Sequence, residues 1–148
     1  MAFTGSFMTT SFKVDLLCAR HNFLLSGGHT FNCALYTNSA TLDATTVAYT
    51  TSGEVATAGG YTAKGNTLTR IDPTSSSTTA YTDFADTTWA TSTITARGGL
   101  IFNDSATTPV ADCSVIVIDF LSDKVSSSGD FTIQFPAAAA ATAIIRIA

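Results

Sequence analysis

Ser114-Val115-Ile116-Val117-Ile118-Asp119-Phe120 places four β-branched residues in succession. Branching at Cβ restricts χ1 and favours a pleated strand over a helix. An unbroken apolar run of this kind marks a central strand covered on both faces. Downstream, Phe131-Thr132-Ile133-Gln134-Phe135 alternates apolar and polar residues, the period of a strand with one face turned inward. The stretch between them, Ser126-Ser127-Ser128-Gly129-Asp130, reads as a polar turn.

Working outward, the same alternation recurs. Thr30 to Thr37 predicts a first strand with Phe31, Cys33 and Leu35 on one face, and further strands are expected at residues 61–69, 79–84, 87–89, 92–97 and 100–103. Asp72-Pro73 is expected to break the chain after the first of these, 61–69. Gly98-Gly99 predicts a bulge or a close backbone approach. Residues 38–60, rich in Thr, Ala, Ser and Gly, read as a long excursion with a weak helical turn near Leu42–Tyr49. Five alanines after Pro136 are too few to nucleate a helix, so they read as a connection to a last strand, Ala143 to Ile147.

One segment carries helical spacing. Ser11 is the expected cap, Phe12, Leu16, Ala19 and Phe23 trace a single stripe, and Gly27-Gly28 supplies the stop. The stripe is expected to bury against a sheet, with docking of a partner as the alternative. Together these readings predict an all-β fold: an antiparallel β-sandwich, jelly-roll-like, with one short N-terminal α-helix. Residues 1–10, apolar at Phe3, Phe7 and Met8 without helical period, are expected as an N-terminal arm. Residues 11–148 then form a single β-sandwich domain.

Composition narrows the function. Only 12% of the 148 residues are charged, and the net charge is −4 with seven Lys and Arg. Phosphate binding needs a basic face, so nucleic acid is not an expected partner, and neither is an anionic membrane. No apolar run reaches membrane-spanning length, and the first residues lack the pattern of a signal peptide. The three cysteines, Cys18, Cys33 and Cys113, are far apart and lie among apolar residues. They are expected as buried, reduced thiols of a protein made in a reducing cytoplasm. With no CxxC pair, neither a metal nor another cofactor is expected.

The chemistry available to an enzyme is sparse. His21 and His29 are the two histidines, and no Gly-x-Ser-x-Gly elbow surrounds any serine. Asp83 with Asp86, and Asp119 with Asp123, are spaced as acid pairs. Near Trp89 they raise glycoside chemistry or Ca²⁺ binding as an alternative to turn formation. Trp89 and Tyr61 are alternatives for an exposed anchor, against a reading of the aromatic set as core. No catalytic residue is expected.

The chain resembles small structural proteins from the morphogenesis regions of tailed bacteriophages. Val14-Asp15-Leu16-Leu17, Ala34-Leu35-Tyr36-Thr37 with Leu42…Thr46, Tyr49-Thr50-Thr51 through Glu54-Val55, and Gly60-Tyr61-Thr62-Ala63 carry the likeness. It continues in Phe84-Ala85-Asp86-Thr87-Thr88-Trp89, Thr95-Ala96-Arg97-Gly98, Leu100-Ile101-Phe102-Asn103, Asp119-Phe120, Gly129-Asp130-Phe131-Thr132-Ile133 and Ile144-Ile145-Arg146. The resemblance implies a virion component on the outer surface of the head, made in the bacterial host cytoplasm. Such a decoration or cement protein would bind the major capsid protein across capsomers as a homotrimer. The candidate contacts are Phe3, Phe7 and Met8 of the arm, with Leu42 and Tyr49 of the excursion. Two alternatives stand beside it: a tail-associated fibre, tube or adaptor subunit, and a carbohydrate-binding β-sandwich acting at the host surface through Trp89.

Overall fold

The computed structural model describes residues 3–148; Met1 and Ala2 of the expected arm lie outside the described residues. The apolar run at 114–120 lies in the longest strand, β8 (Cys113–Val125). Antiparallel to it runs β7 (Thr95–Asn103), which pairs on its other side with β2 (Phe31–Tyr36). Two short strands close the edges, β1 (Phe7–Met8) against β8 and β3 (Asn66–Thr67) against β2, giving the order β1-β8-β7-β2-β3.

The remaining strands form two smaller antiparallel sheets. One has the order β10-β5-β4, from β4 (Arg70–Ser76), β5 (Thr79–Phe84) and β10 (Ile145–Ile147); the other pairs β6 (Thr87–Ser92) with β9 (Gly129–Ile133). The main core joins Phe31, Cys33, Leu35, Ile101, Val115 and Ile116 of the large sheet to Phe84, Trp89, Phe131, Ile133 and Ile145 of the smaller ones. The fold is an all-β antiparallel sandwich with one short helix. The strand orders establish that much and go no further toward a jelly roll.

A bulge explains one detail of the core. Ile101 pairs with Ile116, but Phe102 pairs with Ser114, leaving Val115 as the extra residue. Consecutive strand residues normally face opposite ways, yet here Val115 and Ile116 both enter the main core, as a bulged residue permits. A second irregularity between Ala96 and Gly98 answers the Gly98-Gly99 signal. A Cβ on Gly98 would collide with the Ile118 carbonyl oxygen and the Phe3 ring.

Every residue of β2 is buried, because the second face of the large sheet is covered too. Ala34, Tyr36, Leu100, Phe102 and Val117 on that face pack against Phe3, Ala40 and Leu42. The excursion at 38–60 is therefore a blanket over the sheet, and no helical turn forms within it. Glu54 pins it. The hydroxyls of Tyr49 and Tyr61 donate to its carboxylate at 2.6 and 2.7 Å, and the Lys64 N–H donates at 2.7 Å.

Several expectations are corrected. The helix, α1 (Thr10–Leu17), is capped by Thr9, whose hydroxyl accepts the Phe12 N–H at 3.4 Å, and not by Ser11. It stops well before Gly27. Ala19 adopts a left-handed φ of 54°, and the N–H groups of Ala19 and Arg20 return to the carbonyls of Leu16 and Asp15, closing a Schellman motif. Phe23 lies beyond the helix but still enters the core, stacked on Phe31 at 4.5 Å.

Asp72-Pro73 does not end a strand. It lies inside β4 at a register shift, and β4 is an edge strand, where proline's missing N–H is tolerated. Cys18 is exposed, whereas Cys33 and Cys113 are buried and free. From Phe3 onward the expected arm is packed on the domain: Phe3 bridges Leu42, and β1 pairs Phe7 with Val117 and Met8 with Ile116. The edge of β8 left free by β7 offers unpaired backbone groups, and this segment satisfies them.

Candidate functional site

The sandwich is open along one side. Among the described residues, no strand pairs with the edge of β8 beyond β1, where Ser6 Oγ accepts the Asp119 N–H at 3.0 Å, and β9 has a partner strand on one edge alone, β6. Between these edges run two depressions that share Ile118, Ile133 and Gln134 as a common wall. The first, of about 450 Å³, adds Phe120, Lys124, Val125, Asp130, Phe131 and Thr132. The second, of about 310 Å³, adds Phe7, Met8, Phe135, Pro136 and Ile144. The floor is apolar and the rim carries one cation, Lys124, and one anion, Asp130.

Local chemistry shapes this surface. Four residues of β8, 120–123, bulge out between the pairs Gly98–Asp119 and Ala96–Lys124. Leu121 at the tip has φ 66° and is 79% exposed. The Asp119 carboxylate fixes the bend, accepting the Leu121 N–H at 2.8 Å and the Arg97 Nε–H at 3.0 Å. Burial works against ionisation of Asp119, but these two donors prevail and hold its pKa below the usual carboxylate range. The bend leaves Val125 68% exposed at the end of the groove.

The five expected contact residues separate into two groups. Phe7 and Met8 are half-buried and line the groove. Phe3 and Leu42 are buried in the second core cluster, and neither offers surface to a partner. Tyr49 is half-buried, stacked on Phe102 at 4.8 Å with its hydroxyl committed to Glu54. The groove residues Ile118, Phe120 and Val125 were not among the expected contacts. An apolar strand run does not reveal how much of its outer edge a short neighbour such as β1 will cover.

Trp89 is not a sugar platform. It is 3% exposed, packed edge-on against Phe131 at 6.0 Å, and its Nε1–H has no hydrogen-bond partner among the described residues. Tyr61 is buried beside it, so neither is an exposed anchor. The nearby acids serve the backbone: Asp83 accepts the N–H groups of Phe84 and Ile144, and Asp86 accepts that of Phe135. Burial pushes the Asp83 carboxyl up, against those hydrogen bonds.

The nucleophiles are quiet. Burial pushes the Cys33 thiol up to about 12 and the Cys113 thiol up to about 11, so both are protonated at neutral pH. His21 and His29 bond to the Asn103 amide and, among the described residues, to no serine hydroxyl. Compared with known proteins, the chain matches no family model, no curated protein and no solved structure.

Proposed function

We propose that this chain is a non-enzymatic structural subunit of a tailed-bacteriophage particle. In this reading it decorates the outer surface of the head, binds the major capsid protein across neighbouring capsomers and does so as a homotrimer. The observation that carries the reading is the open apolar groove between the edges of β8 and β9. A monomer in water gains nothing from leaving Phe120 half-buried and Val125 exposed beside a strand edge without a partner strand, whereas a lattice subunit gains an interface. The low charge agrees with contacts made by shape and Ser/Thr hydrogen bonds. Symmetry multiplies weak single contacts into avidity.

The test is reconstitution. Purified chain is added to heads assembled without it, and bound protein is measured by sedimentation and cryo-EM. The expected result is occupancy that scales with the number of capsomers and resistance of the heads to heat. Occupancy limited to the tail moves the subunit to the alternative tail position, and absence from mature particles overturns the proposal.

A further inference from the structure

We propose that Asp15, His21 and Cys113 form a binding site for a divalent transition-metal ion of the zinc class. One carboxylate oxygen, one imidazole nitrogen and one sulfur, from three separate parts of the chain, all lie within 4.8 Å of one another. Asp15 comes from the inward face of α1, His21 from the segment after it, and Cys113 from the first position of β8. This site is independent of the groove and of any role on a capsid.

The spacings decide between a hydrogen-bonded cluster and a ligand set. His21 Nε2 is 3.7 Å from Asp15 Oδ2 and 3.9 Å from Cys113 Sγ. An N–H···O bond spans roughly 2.7–3.2 Å, so the first contact is too long to be one and the second is at best weak. Ligands at roughly 2.0–2.3 Å around a tetrahedral zinc stand about 3.3–3.5 Å apart. Along these two edges the donors need move only a few tenths of an ångström, while the Asp15–Cys113 edge, within 4.8 Å, closes by more as both side chains turn toward the ion. Meanwhile the His21 side chain is 0% exposed, and among the described residues its Nε2 has only the long 3.9 Å contact to Cys113 Sγ as a hydrogen bond, a weak return for a buried polar atom.

The surroundings hold the donors in place. Arg20 pairs with the other Asp15 oxygen at 2.7 Å, leaving Oδ2 free. The loop that carries both histidines is clipped to β4 by Arg70, which donates to the carbonyls of Leu24, Leu25 and His29. Phe12, Phe23 and Phe31 surround the His21 ring. With Asp15 and Cys113 as anions, a divalent ion leaves the ligand set neutral. Binding releases the Cys113 thiol proton to solvent, and a fourth position remains for a water or an added donor.

Asn103 is the positioning residue. Its Nδ2 faces Nδ1 of both His21 and His29, at 3.0 and 2.9 Å, while its Oδ1 accepts the Ser105 N–H at 3.1 Å. That orientation places the proton of neutral His21 on Nε2. For Nε2 to ligate, the proton shifts to Nδ1 and the amide turns over to accept it, as the outer partners of metal-bound histidines do.

The experiment uses the full-length chain stripped with chelator and titrated with Zn²⁺ and with Co²⁺. One ion per chain, a near-ultraviolet sulfur-to-cobalt charge-transfer band and a rise in Tm are expected. The band should vanish in Cys113→Ser and in His21→Gln, and persist in Cys18→Ser, which removes the exposed thiol. X-ray absorption of the wild-type zinc form should show one sulfur among nitrogen and oxygen neighbours, a readout that stands even if a variant fails to fold. Failure to take up either ion overturns the site, as does a band that survives Cys113→Ser or a zinc shell without sulfur.

Discussion

The Tyr61 hydroxyl accepts the Leu35 backbone N–H at 3.0 Å and donates to Glu54 Oε1 at 2.7 Å. It therefore ties the blanket to the central strand it covers. Tyr61→Phe removes the acceptor and leaves the Leu35 N–H buried and unpaired, which costs about 1–3 kcal/mol. Urea unfolding should show a lower midpoint with an unchanged m-value; an unaltered midpoint would mean water replaces the hydroxyl.

Trp89 offers a contrast within one site. Trp89→Ala opens a cavity in the main core and should cost about 3–5 kcal/mol. Trp89→Phe keeps most of the packing and removes an N–H that has no partner, so its cost should be well under half that of the alanine variant. Equal losses by chemical denaturation would show that the indole N–H has a partner.

Two backbone positions should respond with opposite signs. Gly65 has φ 65°, and a Cβ there would run into the Cys33 carbonyl, so Gly65→Ala should destabilise the protein by at least about 1–2 kcal/mol. Ala19, exposed at φ 54° in the helix cap, is an alanine where glycine is the usual residue. Ala19→Gly should raise stability, by up to about 1 kcal/mol. Thermal melts of the two variants settle both signs.

Acid should loosen the bend at Asp119. Its pKa is depressed in the folded chain, so its contribution to stability is complete above the unfolded carboxylate value and is lost as pH falls through the folded one. That window lies below about pH 4. The stability gap between the wild type and Asp119→Asn should be wide at neutral pH and narrow at pH values in this window. A gap of constant size would refute the assignment.

The groove makes its own prediction. Val125 and Gln134 are exposed, so Val125→Asp and Gln134→Lys should leave the Tm within a degree or so of wild type, as surface changes of about 0.5 kcal/mol or less do. Both should reduce binding to reconstituted heads, because each buries a charge against an apolar floor. Undiminished head binding by both variants removes the groove from the interface.

From residues alone, the periodicity predicted strands at 30–37, 79–84, 92–97, 100–103 and 114–120, and with them the all-β class, while the structure joins the third and fourth into the single β7 and carries the last on to Val125. Cβ branching and two-residue alternation are local properties, legible without knowing any neighbour. The helix start was legible to within two residues, but its end was not, since Ala19 takes a conformation that its side chain does not advertise. Tertiary structure alone decided which apolar residues are core and which are surface. Leu42 and Phe3 are covered only because a distant segment folds over the sheet, while Phe120 is half-buried and Val125 exposed where β1, paired with Ile116 and Val117 alone, leaves the outer edge of β8 without a partner strand. The meeting of Asp15, His21 and Cys113 belongs to the same class. Residues so far apart in sequence share no local pattern, and only the packing of α1 against the start of β8 brings their donor atoms together.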